Sequence, residues 1–277
     1  MLGAHLRTFQ RYRLTQRERQ RAQIREAELR AQAAEAENNR KSQELEEARK
    51  LQLALLPEKL PELPNLQIAV YMKTATEVGG DYYDFLYPAA NGHKRIGIVV
   101  GDVTDHGISS ALLMTTARAF LRERIQTPPS ECSAVISDVN KRLVRDIEEL
   151  NLFMTMFYSE IDINEKMIRW VKAGHEPAIL YTPQTDSSEL LAGEGLPLGV
   201  MEDAVYQESE KKISSGQIIL IGTDGIKEAV DNHGEMFGNE RLLNVIRDHA
   251  DQPAREILDR VFGYLNDFRH PLEPDDD

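Results

Sequence analysis

Aspartate and glycine recur together beside the apolar stretches of this sequence. EVGGDYYDFLY holds Asp81 after two glycines, IGIVVGDVTDHG places Asp102 after an apolar run, and GQIILIGTDGIKEA does the same with Asp224. A fourth acidic group, PDDD, stands at the end of the sequence. Hard divalent cations prefer oxygen ligands and offset the cost of gathering negative charge. Carboxylates at strand ends therefore predict a site for Mg²⁺ or Mn²⁺.

Each of these Asp-Gly pairs, taken alone, is also typical of a hairpin turn. Three such pairs, each beside an apolar run, favour a shared metal site over three unrelated turns. Glycines at positions 79, 80, 101 and 225 allow the backbone to approach an ion closely. The sequence has no Gly-x-Ser-x-Gly, Cys-x-x-Cys or His-Glu-x-x-His motif, so it offers none of these competing chemistries.

Two histidines, His106 and His175, stand in the same motifs. Hydrogen-bonding roles are favoured for both over direct chemistry. We expect His175, in KAGHEP, to orient a loop beside the site or to contact the substrate.

The segments that must position these residues alternate between strand-like and helix-like patterns. Stretches rich in β-branched and aromatic residues predict strands over 66–73, 95–103, 153–162, 167–175, 177–183 and 216–224. Amphipathic periodicity predicts helices over 109–125, 130–147, 240–250 and 253–268. Helices that come in pairs between groups of strands favour an α+β layered sandwich over a doubly wound βαβ sheet.

The N-terminal part of the chain has the composition of one long helix. No glycine or proline occurs between about residue 5 and Leu56, and Ala, Glu, Arg, Gln and Leu dominate. A buried Asn at an a position, here Asn38, tends to fix register and oligomeric state. We expect a marginal parallel homodimer, with a single helix folded back on the domain as the alternative. The 3-4 spaced seam consists of Ile24, Ala27, Ala31, Ala34, Asn38, Lys41, Leu45, Ala48, Gln52 and Leu55.

Proline marks the domain boundary. Pro57 ends the helix, because proline removes a backbone donor, and PEKLPELPN reads as a linker. The predicted organisation is a coiled-coil signalling and dimerisation helix over 1–57, a linker over 58–64 and a catalytic domain over 65–277.

Charge and cysteine content restrict the function further. The chain has 277 residues and a formal net charge of −13, which argues against nucleic-acid binding. The single cysteine, Cys132, fits a packed thiol in a reducing cytoplasm. Arginines are dense in the first 25 residues, which is typical either of a solvated helix face or of a segment at the inner face of a membrane. No run of about twenty apolar residues occurs, so a spanning segment of a larger sensor is expected only upstream.

An ordered set of motifs then makes a family recognisable. EVGGDYYDF, VVGDVTDHGISSALLM, FMTMFY, KAGHEPAILY, LPLGV, GTDGIKEAVDNHGEMFG and the final DDD follow one another between residues 43 and 277. This set resembles the SpoIIE-type branch of the metal-dependent (PPM, type 2C-like) bacterial serine/threonine protein phosphatases. The resemblance implies an α-β-β-α sandwich of two antiparallel sheets between helical layers, with two metal ions at one end of the sheets.

The resemblance also implies roles for single residues. Asp102 would bridge two Mn²⁺ or Mg²⁺ ions, and the carbonyl of Val103 would join one of them. Asp224 would bind the other ion together with Asp276 of the terminal cluster, with Asp275 as the alternative. Asp81 would serve the metal site directly or through water.

The chain departs from the family pattern at several positions. Thr104 and Asp105 stand where members often carry Ser-Gly, and Asp105 adds negative charge near the site. The family loop Asn-Ala-Gly-His-Asn-Pro has Lys172 and Glu176 in place of its two asparagines. The family continues past its terminal acidic motif with an apolar strand, so we expect that strand to be missing here. No arginine matches the phosphate-binding arginine of the eukaryotic relatives, which leaves Lys73 as the candidate.

The resemblance implies the reaction and the partners. Water activated between two ions would hydrolyse phosphoserine or phosphothreonine in a protein, and the expected substrate is a STAS-domain anti-sigma-factor antagonist of a partner-switching pathway. The alternatives are an inert PPM-fold module that binds a regulatory partner and a phosphohydrolase that acts on small molecules.

Overall fold

The computed structural model describes residues 2–73, 78–88, 95–105, 107–127, 131–148 and 150–271, without the side chains of residues 2–19, 21 and 22. The chain divides into two compact units, Met1–Arg49 and Lys50–Asp277. Among the described residues, none of the helices is both long enough and apolar enough to cross a lipid bilayer.

The first unit is the greater part of one helix, α1, which spans Leu2–Leu55. The helix ends two residues before Pro57, as the composition predicts. Its described side chains up to Asn39 are exposed, including Ile24 and Leu29 of the apolar positions. A long helix that buries so little depends on its intrinsic propensity and on exposed i,i+4 ion pairs, such as Arg30–Glu26.

The second unit contains all the strands that the structure describes, in two antiparallel sheets. The five-stranded sheet has the order β1-β2-β3-β4-β7, and the three-stranded sheet has the order β6-β5-β8. The strands are β1 Tyr82–Leu86, β2 Arg95–Val103, β3 Met154–Asp162, β4 Met167–Ala173, β5 Ala178–Thr182, β6 Ser187–Leu191, β7 Glu208–Lys212 and β8 Ile218–Leu220.

Two pairs of helices cover these sheets. α2 spans Ile108–Arg124 and α3 spans Cys132–Ile147, and α4 Gly238–Asp248 and α5 Ala254–Arg269 follow the last strand. The five-stranded sheet packs α2 and α3 on one face, where Cys132 is buried in the core. Its other face packs against the three-stranded sheet. The far side of the three-stranded sheet packs against α4 and α5. The predicted α-β-β-α sandwich is confirmed.

Five of the six predicted strands are present, but residues 66–73 do not form one. Apart from an isolated bridge between Leu63 and Leu66, this segment is irregular. The segment contacts α5 instead of pairing with a strand. Gln67 Oε1 accepts from the Ala254 amide at 3.0 Å, and Tyr71 stacks on Phe262 with ring centroids 3.6 Å apart. Asp81 therefore does not follow a strand, as its motif suggested, but stands directly before β1.

Candidate metal centre

The β1–β2 ladder brings two of the predicted ligands side by side. Tyr82 pairs with Gly101 in the antiparallel register, so the preceding Asp81 lies opposite Asp102. The backbones are close here, because a Cβ on Gly80 would lie only 2.7 Å from the carbonyl oxygen of Val103. Glycine at position 80 thus lets the Asp81 segment approach the carbonyl that the resemblance assigns to a metal ion.

The third aspartate arrives from the other sheet. β8 leads into Thr223 and Asp224, and the Thr223 hydroxyl donates to Asp81 Oδ2 at 3.3 Å. The Asp224 carbonyl accepts from the amide of Glu228 at 2.9 Å, which holds the following turn. The structure thus brings Asp81, Asp102 and the segment that carries Asp224 to one edge of the sandwich.

The chemistry of these donors fits Mg²⁺ or Mn²⁺. Three carboxylates and one carbonyl supply only oxygen, and Mg²⁺ takes few protein carboxylates and keeps several waters. In the described part of the chain, no group of three or more His, Cys, Asp or Glu side chains is placed to hold a metal ion by itself. Further oxygen ligands must therefore complete the coordination.

Of the remaining predicted residues, several lie beyond what the structure describes. Asp275, Asp276 and His106 lie outside the described residues. Lys73 is exposed, at the end of a described segment. Asp105 adopts φ 65°, the left-handed conformation that aspartate tolerates better than most residues.

His175 is not at the surface of the site but buried beside it. Its side chain is 4% exposed, and Nδ1 lies 2.8 Å from the Thr155 hydroxyl. Thr155 pairs with Asp102 across the β2–β3 ladder, and its hydroxyl lies 3.4 Å from the Asp102 carbonyl oxygen. The ring thus supports the backbone that carries Asp102, in keeping with an orienting role.

Burial decides the protonation of this histidine. Desolvation lowers the pKa of His175 to about 4, against opposing contributions from Glu176 and the Gly222 backbone. Among the described residues, its Nε2 makes no hydrogen bond of normal geometry. The imidazole is therefore neutral at neutral pH.

Gln52, on the last turn of α1, forms two hydrogen bonds with the backbone of Gly79, two residues before Asp81. Its side-chain amide donates to the Gly79 carbonyl at 2.7 Å, and its Oε1 accepts from the Gly79 amide at 3.2 Å. Gln52 is buried, so both hydrogen bonds are shielded from water. The sequence placed Gln52 on the coiled-coil seam and gave no sign of this contact.

A second aspartate of the GGDYYDF motif has a structural partner. Asp84 is fully buried, and the guanidinium of Arg122 in α2 donates two hydrogen bonds to its carboxylate, at 2.6 and 2.7 Å. The Tyr82 hydroxyl donates to the same carboxylate at 2.9 Å, and Arg118 lies 3.8 Å from it. This ion pair fixes α2, which follows the Asp102 motif, against β1.

Sequence reasoning missed several of these partners. Thr155 is not among the predicted site residues, although a hydroxyl among the apolar residues of FMTMFY is a usable signal. Gln52 lies 27 residues from its partner Gly79 and Thr223 lies 142 residues from Asp81, and no local pattern marks such pairs.

Comparison with known proteins places the chain in a family. The family model described as Stage II sporulation protein E (SpoIIE) matches residues 92–277, more than half of the chain. Phosphoserine phosphatase RsbU of Bacillus subtilis is 27% identical over 215 residues, which are 78% of this chain and 62% of the relative. Phosphoserine phosphatase RsbP of the same organism is 29% identical over 216 residues, which are 77% of this chain and 51% of the relative. The chain thus spans little more than half the length of these relatives.

Solved structures show the same fold. The SiaA-PP2C domain of Pseudomonas aeruginosa superposes with a TM-score of 0.76 at 23% identity, over 86% of this chain and 94% of that one. At this identity the likeness supports the fold alone, and it agrees with the layers and sheets described above. The chain therefore belongs to the SpoIIE family, the branch of metal-dependent protein phosphatases that its motifs resemble.

Proposed function

We propose that this protein is a metal-dependent phosphatase that removes phosphate from phosphoserine or phosphothreonine in a protein. The observation that carries the proposal is the meeting of three segments at one edge of the sandwich. Asp81, directly before β1, lies opposite Asp102 of β2, and Thr223 beside Asp224 bonds to Asp81 from the other sheet. RsbU and RsbP, both named phosphoserine phosphatases, support the same reaction.

The family resemblance gives the roles in this proposal. Asp102, the Val103 carbonyl, Asp224 and Asp276 would hold two Mn²⁺ or Mg²⁺ ions. Asp81 serves the site directly or through water, in an orientation that the Thr223 hydroxyl fixes. Bound divalent ions supply a hydroxide nucleophile from water and offset charge on the phosphoryl oxygens. Lys73 remains a candidate for a contact with the substrate, whereas His175, which is buried and bonded to Thr155, supports the Asp102 backbone instead.

The proposed substrate is a phosphorylated STAS-domain anti-sigma-factor antagonist, because phosphatases of this branch act in partner-switching pathways. We place the protein in the cytoplasm, at the inner face of the membrane if a sensor segment precedes it. No nucleic-acid partner is expected of a chain with a net charge of −13.

The direct test is hydrolysis of p-nitrophenyl phosphate and of a phosphoserine peptide with Mn²⁺ and with EDTA. Activity that needs Mn²⁺ and falls in both Asp102→Asn and Asp224→Asn supports the proposal. A folded chain that is inactive under all conditions but binds a STAS-domain protein would instead identify an inert binding module. Activity on metabolites without activity on phosphoproteins would identify a small-molecule phosphohydrolase.

We also propose that α1 forms a homodimer and relays a signal to the metal centre. The support is the pair of hydrogen bonds between Gln52 and Gly79, two residues before Asp81. A change in the helix that moved Gln52 would release this backbone and loosen the position of Asp81.

Two variants test the relay. Gln52→Ala should weaken the response of activity to Mn²⁺, whereas Leu51→Ala, on the same helical turn but 72% exposed, should leave it unchanged. Leu45→Pro should disrupt dimerisation and regulation and leave the metal ligands in place. A Gln52→Ala variant with wild-type Mn²⁺ dependence, or a Leu45→Pro variant that stays dimeric and regulated, contradicts the proposal.

A further inference from the structure

We propose that the loop of residues 174–177, which we call the site strap, sets the position of the Asp224 segment relative to Asp102 and so tunes metal affinity. The ion pair between Glu176 and Lys227 fastens the second end of this strap. The inference rests on the proposed function, because it concerns the same metal centre.

The first end of the site strap is attached to β3, opposite Asp102. His175 Nδ1 lies 2.8 Å from the hydroxyl of Thr155, which pairs with Asp102. Gly174 forms a bridge with Met156, and its amide donates to the Gly195 carbonyl at 2.9 Å. These contacts hold the strap to the strand next to the Asp102 backbone.

The second end reaches the other sheet. Glu176 Oε2 lies 2.6 Å from Lys227 Nζ, and Lys227 follows Asp224 by three residues. The Lys227 carbonyl accepts from the Gly238 amide at the start of α4, so the lysine backbone is itself held. The pair thus joins the strap to the turn that carries Asp224.

The strap has little freedom to adjust. Gly174 has φ +67°, and a Cβ at this position would lie 2.4 Å from Pro197 Cγ. A segment held in this conformation and packed against proline transmits a displacement of one end to the other, since it cannot absorb the change by bending.

Charge gives the ion pair a further role. Glu176 adds a carboxylate to the strap that joins the Asp102 and Asp224 segments. Lys227 offsets that charge, and the pair is only partly screened by solvent, since the side chains of Lys227 and Glu176 are 24% and 43% exposed. Without Lys227, Glu176 would be free to turn towards the metal centre or to move the strap. We therefore regard Glu176 and Lys227 as positioning residues.

The test measures Mn²⁺ binding by titration calorimetry on the 277-residue chain, with p-nitrophenyl phosphate hydrolysis as a second readout. Lys227→Gln and Lys227→Glu should weaken Mn²⁺ binding, by about tenfold for Lys227→Glu, because groups that orient metal ligands contribute on that scale. At saturating Mn²⁺ the kcat of Lys227→Gln should return to near the wild-type value. The charge-reversed pair Glu176→Lys with Lys227→Glu should recover the affinity to within about threefold.

Lys211→Glu is the matched control. Lys211 also pairs with a glutamate, Glu189, at 2.9 Å and with similar exposure, but it lies opposite Ile168 at the other end of the sheet. Unfolding in EDTA by circular dichroism checks that each variant folds. Wild-type Mn²⁺ affinity in both Lys227 variants, or a reversed pair no better than Lys227→Glu alone, overturns the inference while leaving the proposed function intact. Failure of the wild-type chain to bind Mn²⁺ overturns both.

Discussion

The five-stranded sheet buries ionisable side chains at both of its ends, about 23 Å apart along β2, but their surroundings differ. At the site end, Asp81 lies directly before β1 and opposite Asp102 of β2, with the hydroxyls of Thr223 and Thr155 and the neutral ring of His175 around them. At the far end, arginine lies within reach of the carboxylates. Arg95 lies 3.7 Å from Glu160 and 3.4 Å from Asp162.

The far end shows how carboxylates are buried for structure. Glu160 is 2% exposed and accepts from the Tyr158 hydroxyl at 2.9 Å, at the edge of a cavity of about 240 Å³. Desolvation raises its pKa, against the opposing effects of Tyr158 and Arg95. An acidic residue near a strand end is therefore not by itself a sign of a metal site. What distinguishes the site end is the convergence of aspartates from separate segments of the chain.

The largest effect expected from this comparison is on activity. Asp102→Asn should lower the rate of p-nitrophenyl phosphate hydrolysis by more than about 100-fold, because the proposed function makes Asp102 a metal ligand and a ligand contributes more than the groups that orient it. Glu160→Gln, the same change of carboxylate to amide at the far end, should keep the rate within about twofold. Steady-state kinetics with saturating Mn²⁺ measure both. Equal losses in the two variants would remove the functional distinction between the ends.

The site end should also lose stability in acid. The folded pKa of His175, about 4, lies below the unfolded value near 6.5, so the unfolded chain binds the extra proton first as the pH falls. The stability that depends on His175 is complete above pH 6.5 and is lost towards pH 4, which costs about 2–3 kcal/mol. Urea unfolding of wild type and His175→Gln at pH 7.5 and 4.5 measures the difference. Parallel losses in both proteins would show that other groups cause the acid effect.

The sequence predicted the central strands and helices well because their patterns follow from two-sided burial. β2 and β3 are apolar on both faces, since helices cover one face and the second sheet covers the other. Three of the described strands, β1, β6 and β7, were not predicted. β6 and β7 are polar edge strands, SSELL and ESEKK, that depend on their ladders to β5 and β4, and β1 stands inside the GGDYYDF motif. Residues 66–73 were wrongly predicted as a strand because their pattern fits a ladder that their contacts to α5 replace.

The residues of the candidate site also divide into those that the sequence indicates and those that only the fold reveals. Asp81, Asp102 and Asp224 stand in recognisable motifs from which a shared site could be predicted, and their role as metal ligands stays a prediction. Their supports were not, because Gln52 and Lys227 contact the site segments only after the chain has folded. The coiled coil and the terminal ligand Asp276 stay predictions, the latter because it lies outside the described residues.

The smallest effect concerns the stability of the far end. The folded pKa of Glu160 is raised above its usual 4.5, so this group favours the folded state below pH 4.5 and opposes it progressively as the pH rises through the folded value. Glu160→Gln removes the charge and keeps an acceptor for Tyr158. The variant should therefore match the wild type below pH 4.5 and gain on the order of 1 kcal/mol at pH 7–8.

Urea unfolding at pH 4 and pH 7.5 measures this gain, and the Tyr158→Phe variant is the control for the hydrogen bond. If Glu160→Gln instead lost stability at pH 7.5, the Arg95 guanidinium, 3.7 Å away, would more than offset the cost of burying the Glu160 carboxylate. The far end would then be a compensated ion pair rather than a carboxylate buried at a net cost. The two ends would then differ in the source of positive charge: arginine side chains of the chain itself at the far end, and an added metal cation at the site end.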